Sequence, residues 1–368
     1  MNTTVRHISV PRGRRLIAVS DIHAHPGHLR ALLQKIGFST DDVLVVVGDV
    51  IEKGPDSLGA LRLVMELERT HTVHALIGNV DLWQLTWILQ DDEETAGYLR
   101  EHIERTRARY GSCLFSQMCA RIGLPVENVA DVRAARRVVR ETFAQEIRFL
   151  REMPTIASAG SLLFVHGGIP TEDVDALAGT EAHPYLKCDN FLSQGLRFSR
   201  WVVVGHWPAT LYSARYPCFN PYVSRAQRIV SIDGGCGIKR DGQLNALIFE
   251  DAASGRFTFA AYDDLPVGTA LDAQAESPDS FYLRYTDCRV RVRAREGDCV
   301  QVEHLTTGRR LWAPGSFLYE DGTRCMDLTD YLLPVRAGDR LSLVERTSRG
   351  WIAKKDGVTG WYLGRVEA

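Results

Sequence analysis

Six side chains that could bind metal ions follow short apolar runs in the first two-thirds of the chain. They are Asp21 and His23 after "RLIAVS", Asp49 after "VLVVVG", Asn79 after "HALIG", His166 after "LLFV" and His206 after "WVVVG". Carboxylate and amide oxygens mixed with imidazole nitrogens suit Mn, Fe or Zn better than Ca. Six ligands exceed what one catalytic ion needs, whereas two divalent or trivalent ions bridged by a shared carboxylate fit the count. Such a pair, about 3.5–4 Å apart, can hold a phosphoryl group for in-line displacement.

The apolar runs themselves have the length and the β-branched composition of buried strands. Helical patterns such as "PGHLRALLQKIG" and "SLGALRLVMELERT" lie between several of them. Alternating strands and helices predict a layered α/β domain. In such sheets, ligands bind beyond the carboxyl ends of the strands. We therefore expect the six side chains to meet at one edge of a sheet.

The composition is that of an ordinary globular protein, with 368 residues, 45% hydrophobic and 24% charged residues, and a net charge of -2. The length predicts two domains at roughly 150 residues each. A nearly neutral chain without an 18-residue apolar run predicts neither nucleic acid nor a membrane as a partner. The eight cysteines are scattered without a CxxC pair. This argues against a zinc ribbon or a disulfide-linked secreted fold and favours a cytoplasmic location.

The sequence changes character after its first two-thirds. The predicted catalytic domain, 1–265, contains a helical insertion at about 82–153 that either caps the site and selects substrates or only shields the sheet. The runs "RIVSIDGGCG", "LNALIFED" and "RFTFAAY" are expected to be antiparallel strands that close this domain. A polar stretch at 266–282 is predicted to be a linker. Residues 283–368 alternate apolar and polar side chains between turns, which predicts a small all-β barrel.

The series D-x-H, GD, GN, HGG and GH, in this order at strand ends, resembles the calcineurin-like metallophosphoesterases. The resemblance is strongest to the branch of protein Ser/Thr phosphatases and bacterial diadenosine tetraphosphatases, covers about residues 15–250, and includes "IDGGCGIKRDGQLNALIFE" as a similar closing segment. It implies an α/β/β/α sandwich with mixed sheets. It also implies how the ligands divide: Asp21 and His23 bind the first metal, Asp49 bridges, and Asn79, His166 and His206 bind the second. One of the two late histidines can serve the other ion.

The resemblance implies hydrolysis of phosphomonoesters, on phosphoproteins or on small phosphorylated substrates. Two metal ions would lower the pKa of a bridging water, and the resulting hydroxide would attack phosphorus. A dinucleoside polyphosphate hydrolase, similar to the diadenosine tetraphosphatases, is one alternative. A non-catalytic scaffold that retains its metal ions is another.

The phosphate-binding residues depart from the family pattern. Where the family has "GDxxDRG", this chain has "GDVIEKG", so that Glu52 replaces an aspartate and Lys53 replaces an arginine. Lysine keeps the positive charge but lacks the planar bidentate fork of arginine. A second phosphate-binding arginine is expected before the last motif, and either Arg197 or Arg200 can fill this position.

This chain also departs from the family's Gly-Asn-His-Glu or Gly-Asn-His-Asp motif. Val80 stands in place of the histidine, while Asp81 is kept. That histidine protonates the leaving oxygen or supports the transition state, and a general acid typically contributes about 10²–10⁴-fold. Three interpretations stay open: an enzyme that prefers good leaving groups, an enzyme with a relocated acid, for which His25 is the nearest candidate, or a weakened enzyme. The candidate catalytic residues are Asp49, Asp81, His25 and Glu52.

The C-terminal segment "GDRLSLVERTSRGWIAKKDGVTGWYLGRVEA" resembles a bacterial SH3-like module. One interpretation is that Trp351, Trp361 and Tyr362 form an aromatic groove for an extended peptide ligand. The other is that the tryptophans form the core of a barrel too small to be stable without them, which we favour for Trp351.

Overall fold

A computed structural model describes residues 1–367 of the protein. It divides into two compact units, the first made of residues 1–208 and 221–262 and the second of residues 209–220 and the chain from 263 onward. Among the described residues, no helix combines the length and the apolar character needed to cross a membrane.

The first unit contains eleven strands and eight α-helices among its described residues. Its strands are β1 Val5–His7, β2 Leu16–Val19, β3 Val43–Val47, β4 Thr72–Leu76, β5 Ile156–Ala159, β6 Leu162–Val165, β7 Trp201–Val204, β8 Tyr222–Ser224, β9 Ile229–Ser231, β10 Leu244–Asp251 and β11 Arg256–Tyr262. Its helices are α1 Pro26–Lys35, α2 Ser57–Thr70, α3 Asn79–Leu89, α4 Glu93–Tyr110, α5 Leu114–Arg121, α6 Val129–Thr142, α7 Ala144–Glu152 and α8 His183–Leu186.

These strands form two mixed sheets, as the sequence predicted. The five-stranded sheet has the order β11-β10-β2-β3-β4, and the six-stranded sheet has the order β1-β5-β6-β7-β9-β8. Within the first sheet β2, β3 and β4 are parallel, so their carboxyl ends lie at one edge. In the second sheet β6, β7 and β9 are parallel. The expectation that "RIVSIDGGCG" is an antiparallel closing strand was therefore only partly right, because β9 pairs parallel with β7 and antiparallel with β8.

The core of the first unit consists of two layers separated by the five-stranded sheet. Because successive strand residues face opposite sides, Leu16 lies in the layer shared with the six-stranded sheet, whereas Ile17 lies in the layer under the helices. Burying one such side chain contributes about 1.5–3 kcal/mol to stability. All eight helices contribute to the layer around Ile17.

The helical insertion lies between β4 and β5 and consists of α3 to α7. Two of its helices begin with a side chain that accepts a backbone hydrogen bond: Asp92 of α4 accepts from Thr95 N at 2.7 Å, and Asn128 of α6 accepts from Asp131 N at 2.9 Å. The fully buried Arg136 of α6 donates to Asp92 O and to Thr95 Oγ1, and thereby joins α6 to the start of α4. The insertion is thus a packed helical bundle, in the place where the sequence predicted several helices.

The described part of the second unit is all-β, apart from 3₁₀ turns. Its strands are β12 Val267–Ala270, β13 Tyr282–Leu283, β14 Val290–Glu296, β15 Cys299–His304, β16 Arg310–Pro314, β17 Leu318–Tyr319, β18 Arg324–Cys325, β19 Leu328–Thr329, β20 Arg340–Thr347, β21 Gly350–Lys355, β22 Val358–Tyr362 and β23 Val366–Glu367. The largest sheet has the order β22-β21-β20-β12-β23. The predicted linker, 266–282, is corrected here because β12 is an inner strand of this sheet, paired with β20 and β23.

Two of the three aromatic residues proposed for a peptide groove lie in the core of the second unit. Trp361 is 5% exposed and donates its indole N–H to Thr329 O, and Tyr362 is fully buried with its hydroxyl donating to Asp272 O. Trp351 is half-buried, with the guanidinium of Arg346 5.6 Å from its ring centroid. The groove interpretation is corrected for Trp361 and Tyr362, since buried rings cannot bind a peptide.

Candidate metal centre

Three loops at the carboxyl ends of β2, β3 and β4 carry the first four predicted ligands. Asp21, His23 and Asp49 have φ values of 55°, 46° and 51°, in the left-handed region. Such a conformation costs about 1–3 kcal/mol for a residue other than glycine and persists where the surroundings enforce it. Here the loops enforce one another, because Asp21 N donates to Gly48 O and His23 N donates to Asp49 O. Gly78 completes the packing, since a Cβ there would lie 2.1 Å from Asp49 Oδ1.

The first donor set consists of Asp21, His23 and one oxygen of Asp49, all buried. His23 Nε2 lies 3.6 Å from Asp21 Oδ1 and 3.8 Å from Asp49 Oδ2. Asp21 Oδ2 accepts from Ser20 Oγ and from His206 N, which leaves Oδ1 buried without a hydrogen-bond partner. Burying an unsatisfied carboxylate oxygen is costly, and a cation between these three atoms would satisfy it.

The second donor set uses the other oxygen of Asp49. His166 Nε2 lies 3.2 Å from Asp49 Oδ1 and 3.0 Å from Asn79 Oδ1. On the opposite side of the ring, Nδ1 lies 2.9 Å from Val47 O, so Nδ1–H donates to this carbonyl and Nε2 faces the other ligands. Such a hydrogen bond fixes the ring of a metal-ligating histidine. Asp49 therefore divides its two oxygens between two sets of donors.

His206 lies beside the second set. Its ring centroid is 5.3 Å from that of His166. Its Nε2 lies 2.7 Å from Asp189 Oδ1 and 3.4 Å from Lys187 Nζ. A carboxylate that binds one nitrogen of a histidine orients the ring and leaves the other nitrogen for a metal. Asp189 and Lys187 could not be singled out from the sequence, because both lie in a polar segment, "YLKCDN", that follows no apolar strand run.

The buried charges of the centre are predominantly negative. Burial and the charge of Asp233 raise the pKa of Asp21, and burial and the charge of Asp49 raise the pKa of Asp81 to about 7. Burial also acts to raise the pKa of Asp49, but the charge and hydrogen bond of His166 hold it well below its usual range. In return, Asp49 and Asp21 raise the pKa of His166 to about 10 against the effect of burial. A pair of cations would compensate this excess of carboxylates.

Asp233 is a second residue that we did not single out from the sequence. It follows β9, as Asp21 follows β2, and is fully buried. Its Oδ1 accepts from Gly235 N, and its Oδ2 has no hydrogen-bond partner among the described residues. Burial raises the pKa of Asp233 to about 6. The strand-end pattern that identified Asp21 was available for Asp233 as well.

Asp81 and Val80 begin helix α3 beside the centre. The carboxylate of Asp81 is fully buried and accepts from Gly78 N, Val50 N and Ile51 N at 2.9–3.2 Å, so it ties the loop after β3 to the loop after β4. Val80 is 1% exposed, and its N–H donates to Asp49 Oδ1 at 3.1 Å. Its backbone thus holds the Asp49 carboxylate, whereas its side chain has no proton to donate.

The predicted phosphate-binding residues lie in different places. Lys53 Nζ is 4.0 Å from Asp49 Oδ2, with about a third of the side chain exposed, so it lies at the centre. Arg197 has an exposed side chain. The structure contradicts Arg200, which donates to Ser158 Oγ and Leu162 O at the amino end of β6, the end opposite to His166.

The two remaining candidates for catalysis, His25 and Glu52, lie in different surroundings. His25 precedes α1 and is half-buried, with Nδ1 2.5 Å from His23 O, so it contacts the first ligand loop. Glu52 is fully buried and directs its carboxylate to Gln84, His102 and Leu114 of the helical insertion. The structure thus does not bring the Glu52 carboxylate to the metal ligands.

Comparison with known proteins places this centre in a family. A family model described as calcineurin-like phosphoesterase matches residues 14–234, more than half of the chain. The chain belongs to the calcineurin-like phosphoesterases. The cofactor of this family is a dinuclear centre of Mn, Fe or Zn. The mixed oxygen and nitrogen donors and the shared Asp49 carboxylate fit such a pair.

Curated relatives of this calcineurin-like phosphoesterase include two kinds of hydrolase. It is 42% identical over 66 residues to a symmetrical bis(5'-nucleosyl)-tetraphosphatase of Nitrosomonas europaea, covering 18% of this chain and 24% of the relative. This chain is also 30% identical over 114 residues to serine/threonine-protein phosphatase 1 of Salmonella typhimurium. That match covers 29% of this chain and 53% of the relative. The matches thus span a quarter to about half of these relatives. A solved putative diadenosine tetraphosphatase covers 71% of this chain and 99% of its own, with a TM-score of 0.43 and 18% identity.

Proposed function

We propose that this calcineurin-like phosphoesterase hydrolyses phosphomonoesters on phosphoproteins, with Asp49 as the ligand shared by two metal ions. The observation that carries the proposal is the division of the Asp49 carboxylate. Its Oδ2 lies 3.8 Å from His23 Nε2, and its Oδ1 lies 3.2 Å from His166 Nε2. One buried carboxylate between two sets of N/O donors is what a two-metal phosphoesterase requires.

The chain's own residues have separate tasks in this proposal. When bound, two metal ions supply Lewis acidity and lower the pKa of a water molecule. Asp21 and His23 hold one ion, and Asn79 and His166 hold the other, together with His206. Lys53 brings a positive charge beside Asp49, where it attracts the phosphoryl oxygens of the substrate.

Lys187 provides a second positive charge next to His206. Its Nζ is 3.4 Å from His206 Nε2, and the side chain is 44% exposed, so a substrate can reach it. We propose that Lys53 and Lys187 together bind the phosphate, a task for which the resemblance implies arginines. Arg197 is the remaining arginine candidate, since Arg200 lies at the far end of the sheet.

The missing general acid determines which substrates react. Val80 cannot donate a proton, and the centre then depends on the stability of the leaving group. The rate of hydrolysis should fall most for a serine phosphate, whose alkoxide is a poor leaving group. It should fall less for a tyrosine phosphate, whose phenol has a reference pKa of about 10, and least for an anhydride, whose leaving phosphate has a second pKa of about 6. His25 stays the candidate for a relocated acid, because its ring contacts the carbonyl of His23.

Hydrolysis of dinucleoside polyphosphates is the second candidate function. Val80 favours it, because a phosphoanhydride does not need protonation of its leaving phosphate at neutral pH. The similarity to relatives named bis(5'-nucleosyl)-tetraphosphatase is in line with this chemistry. The third alternative, a metal-retaining scaffold without activity, requires that a complete set of ligands has no catalytic use.

Parallel assays with Mn²⁺ separate the three functions. A phosphoserine peptide, a phosphotyrosine peptide, p-nitrophenyl phosphate and diadenosine tetraphosphate are compared with the same enzyme, and Asp49→Asn serves as the control for metal-dependent turnover. The proposal expects turnover of p-nitrophenyl phosphate and of at least one phosphopeptide, with phosphotyrosine ahead of phosphoserine. Turnover of diadenosine tetraphosphate alone supports the second candidate. No turnover of any substrate with Mn²⁺ or Fe²⁺ supports the scaffold.

For the second unit we propose an SH3-like barrel. The antiparallel five-stranded sheet around β20 supports this proposal. A peptide ligand would have to use Trp351, because Trp361 and Tyr362 are buried. We also propose a reducing, cytoplasmic location, since none of the eight cysteines forms a disulfide within the described chain.

A further inference from the structure

A cluster of buried polar side chains lies next to the metal-binding loop and is centred on Glu52. This residue follows Asp49 by three positions, but its carboxylate points into the helical insertion. Oε1 accepts from Leu114 N of α5 at 2.7 Å and from Gln84 Nε2 of α3 at 3.0 Å. Oε2 lies 2.8 Å from His102 Nε2 of α4. Three helices of the insertion therefore meet at one carboxylate.

His102 is held firmly in this position. Its ring is 4.8 Å from the ring centroid of Trp83, in an edge-on arrangement, and 5.4 Å from that of Trp87. The side chain is 10% exposed, and that of Glu52 is fully buried. A charge-assisted hydrogen bond in such surroundings is stronger than one in water and cannot easily be replaced by solvent.

The cluster also contains Cys113, so its ligand types would suit a third metal ion. The ligand atoms of Glu52, His102 and Cys113 lie within 4.8 Å of one another. Unlike Asp21 Oδ1 of the metal centre, however, neither Glu52 nor His102 has a fully buried nitrogen or oxygen left without a partner. Burial and the charge of Glu52 also raise the pKa of the Cys113 thiol to about 12, so it stays protonated. The contacts favour a hydrogen-bonded cluster.

The backbone that carries Glu52 is in an unfavourable conformation. Asp49, Glu52 and Lys53 have φ values of 51°, 64° and 60°. Residues other than glycine keep such values only where their surroundings determine them. The main chain of Glu52 is held by Ser57 Oγ, which accepts from its N–H at 3.0 Å. Its side chain forms hydrogen bonds with three residues of the insertion.

We propose that Glu52 and His102 form a latch through which the helical insertion fixes the loop that carries Asp49 and Lys53. Both are positioning residues, because neither contacts the metal donor sets. The inference rests on the proposed function, because that function makes Asp49 the ligand shared by two metal ions and Lys53 a phosphate-binding residue. It assigns the insertion a role in shaping the centre, beyond covering the sheet.

The test compares variants of the latch with a matched control. His102→Ala removes one hydrogen bond and Glu52→Ala removes all three, whereas Glu52→Gln keeps the size and an acceptor oxygen. Glu146→Ala is the control, because Glu146 is a buried carboxylate that also joins the insertion to the sandwich, through Arg62 of α2 at 2.7–2.8 Å, without contacting the loop. Glu52→Ala leaves three buried donors unpaired and can prevent folding. If Glu52→Ala does not fold, His102→Ala decides the test, because Leu114 N and Gln84 Nε2 still donate to Glu52 in this variant.

The first readout is hydrogen exchange of the amides of residues 50–53, which depends on neither metal nor activity. We expect His102→Ala to accelerate this exchange about tenfold or more, Glu52→Gln to have a smaller effect, and Glu146→Ala to leave the loop unchanged. Exchange in the double variant Glu52→Ala/His102→Ala should be only slightly faster than in Glu52→Ala, because the two residues act as a unit. Equal loop exchange in His102→Ala and in the control would overturn the latch.

The second readout is the Mn²⁺ affinity, measured by calorimetry. Loss of residues that orient metal ligands typically costs about 10–100-fold in affinity. We expect a loss of this size in His102→Ala and less than about threefold in Glu146→Ala. A third bound ion that disappears in Cys113→Ser would overturn the latch in favour of a metal site. If the wild type hydrolyses no substrate while loop exchange responds as expected, the proposed function fails and the latch stands.

Discussion

At the scale of single residues, the centre depends on the position of one carboxylate. Asp49 has a left-handed backbone, accepts from Val80 N, and faces His23 with one oxygen and His166 with the other. Val80, His23 and His166 belong to three different segments of the chain, following β4, β2 and β6. A small displacement of the Asp49 loop therefore changes both donor sets at once, which explains why the loop is held by Asp81 as well as by its own backbone.

The protonation of His166 leads to a prediction about metal binding and pH. The charges of Asp49 and Asp21 raise the pKa of His166 to about 10, so the ring is protonated at neutral pH in the absence of metal. A metal ion needs the free electron pair of Nε2 and displaces this proton. We expect the Mn²⁺ affinity to rise about tenfold per pH unit between pH 6 and 8 for one displaced proton.

Calorimetry of Mn²⁺ binding in buffers with different ionisation enthalpies measures this proton release directly. His166→Gln is the control, because it removes the titrating ring and should flatten the pH dependence while weakening the affinity. An affinity that does not change between pH 6 and 8 in the wild type would contradict the assignment of His166.

The clustering of the proposed ligands was predictable because each of them follows an apolar strand run, and parallel strands end at the same edge of a sheet. This pattern was sufficient to single out Asn79 and His206. Asp189 and Lys187 could not be found in the same way, because their segment reaches the centre through the tertiary fold. The direction of the Glu52 side chain was equally hidden, since it depends on the packing of α3, α4 and α5.

At the scale of elements, the loops of the centre require that β2 and β3 keep their register. At the amino end of these strands Arg15 donates to both oxygens of Asp42 at 2.7–2.8 Å, and to Ile36 O and Gly37 O after α1. Burial acts to raise the pKa of Asp42, but hydrogen bonds from Arg15 and Ser39 lower it. This pair joins the start of the parallel strands to the end of α1.

We therefore predict that Asp42→Asn lowers the free energy of unfolding by about 1–3 kcal/mol at pH 7, as expected for a hydrogen bond between charged groups. The pKa of Asp42 is lower in the folded state. Its contribution is thus complete above the unfolded pKa of about 3.9 and is lost as the pH falls through the folded value. Urea unfolding at pH 7 and at lower pH measures this effect. Asp41→Asn, at the exposed neighbour, should change little at either pH.

The helices α1 and α2 coincide with the predicted patterns because their ends carry local signals. Pro26 stands in the first turn of α1, and Asp56 caps α2 by accepting from Gly59 N at 2.8 Å. The parallel pairing of β9 with β7 was not predictable, because strand direction depends on contacts between distant residues. The same holds for β12, whose polar surroundings in the sequence indicated a linker.

At the scale of the whole molecule, the second unit is not a continuous segment of the chain. Residues 209–220 belong to it, although they directly follow the loop of His206. Their backbone is bound by later residues of the unit: Phe219 N donates to Gly357 O in the turn between β21 and β22, and Thr329 Oγ1 of β19 donates to Arg215 O. A domain boundary based on composition alone missed this segment, because it is too short to change the composition.

We predict that truncation after residue 262 leaves residues 209–220 without these partners and open to proteolysis. Trypsin should then cleave after Arg215 about tenfold faster or more than in the full chain, since cleavage needs a locally unfolded segment. The truncated protein with Arg215→Gln identifies the cleavage site. Equal resistance of Arg215 in the full and truncated chains would contradict the assignment of this segment to the second unit.

The most direct test of the metal centre is anomalous diffraction from a crystal of the protein loaded with Mn²⁺. We predict two peaks about 3.5–4 Å apart on either side of the Asp49 carboxylate. One peak should lie near Asp21 and His23 and the other near Asn79 and His166, and both should weaken in Asp49→Asn. A single peak, or peaks away from Asp49, would contradict the shared-carboxylate centre and with it the proposed reaction.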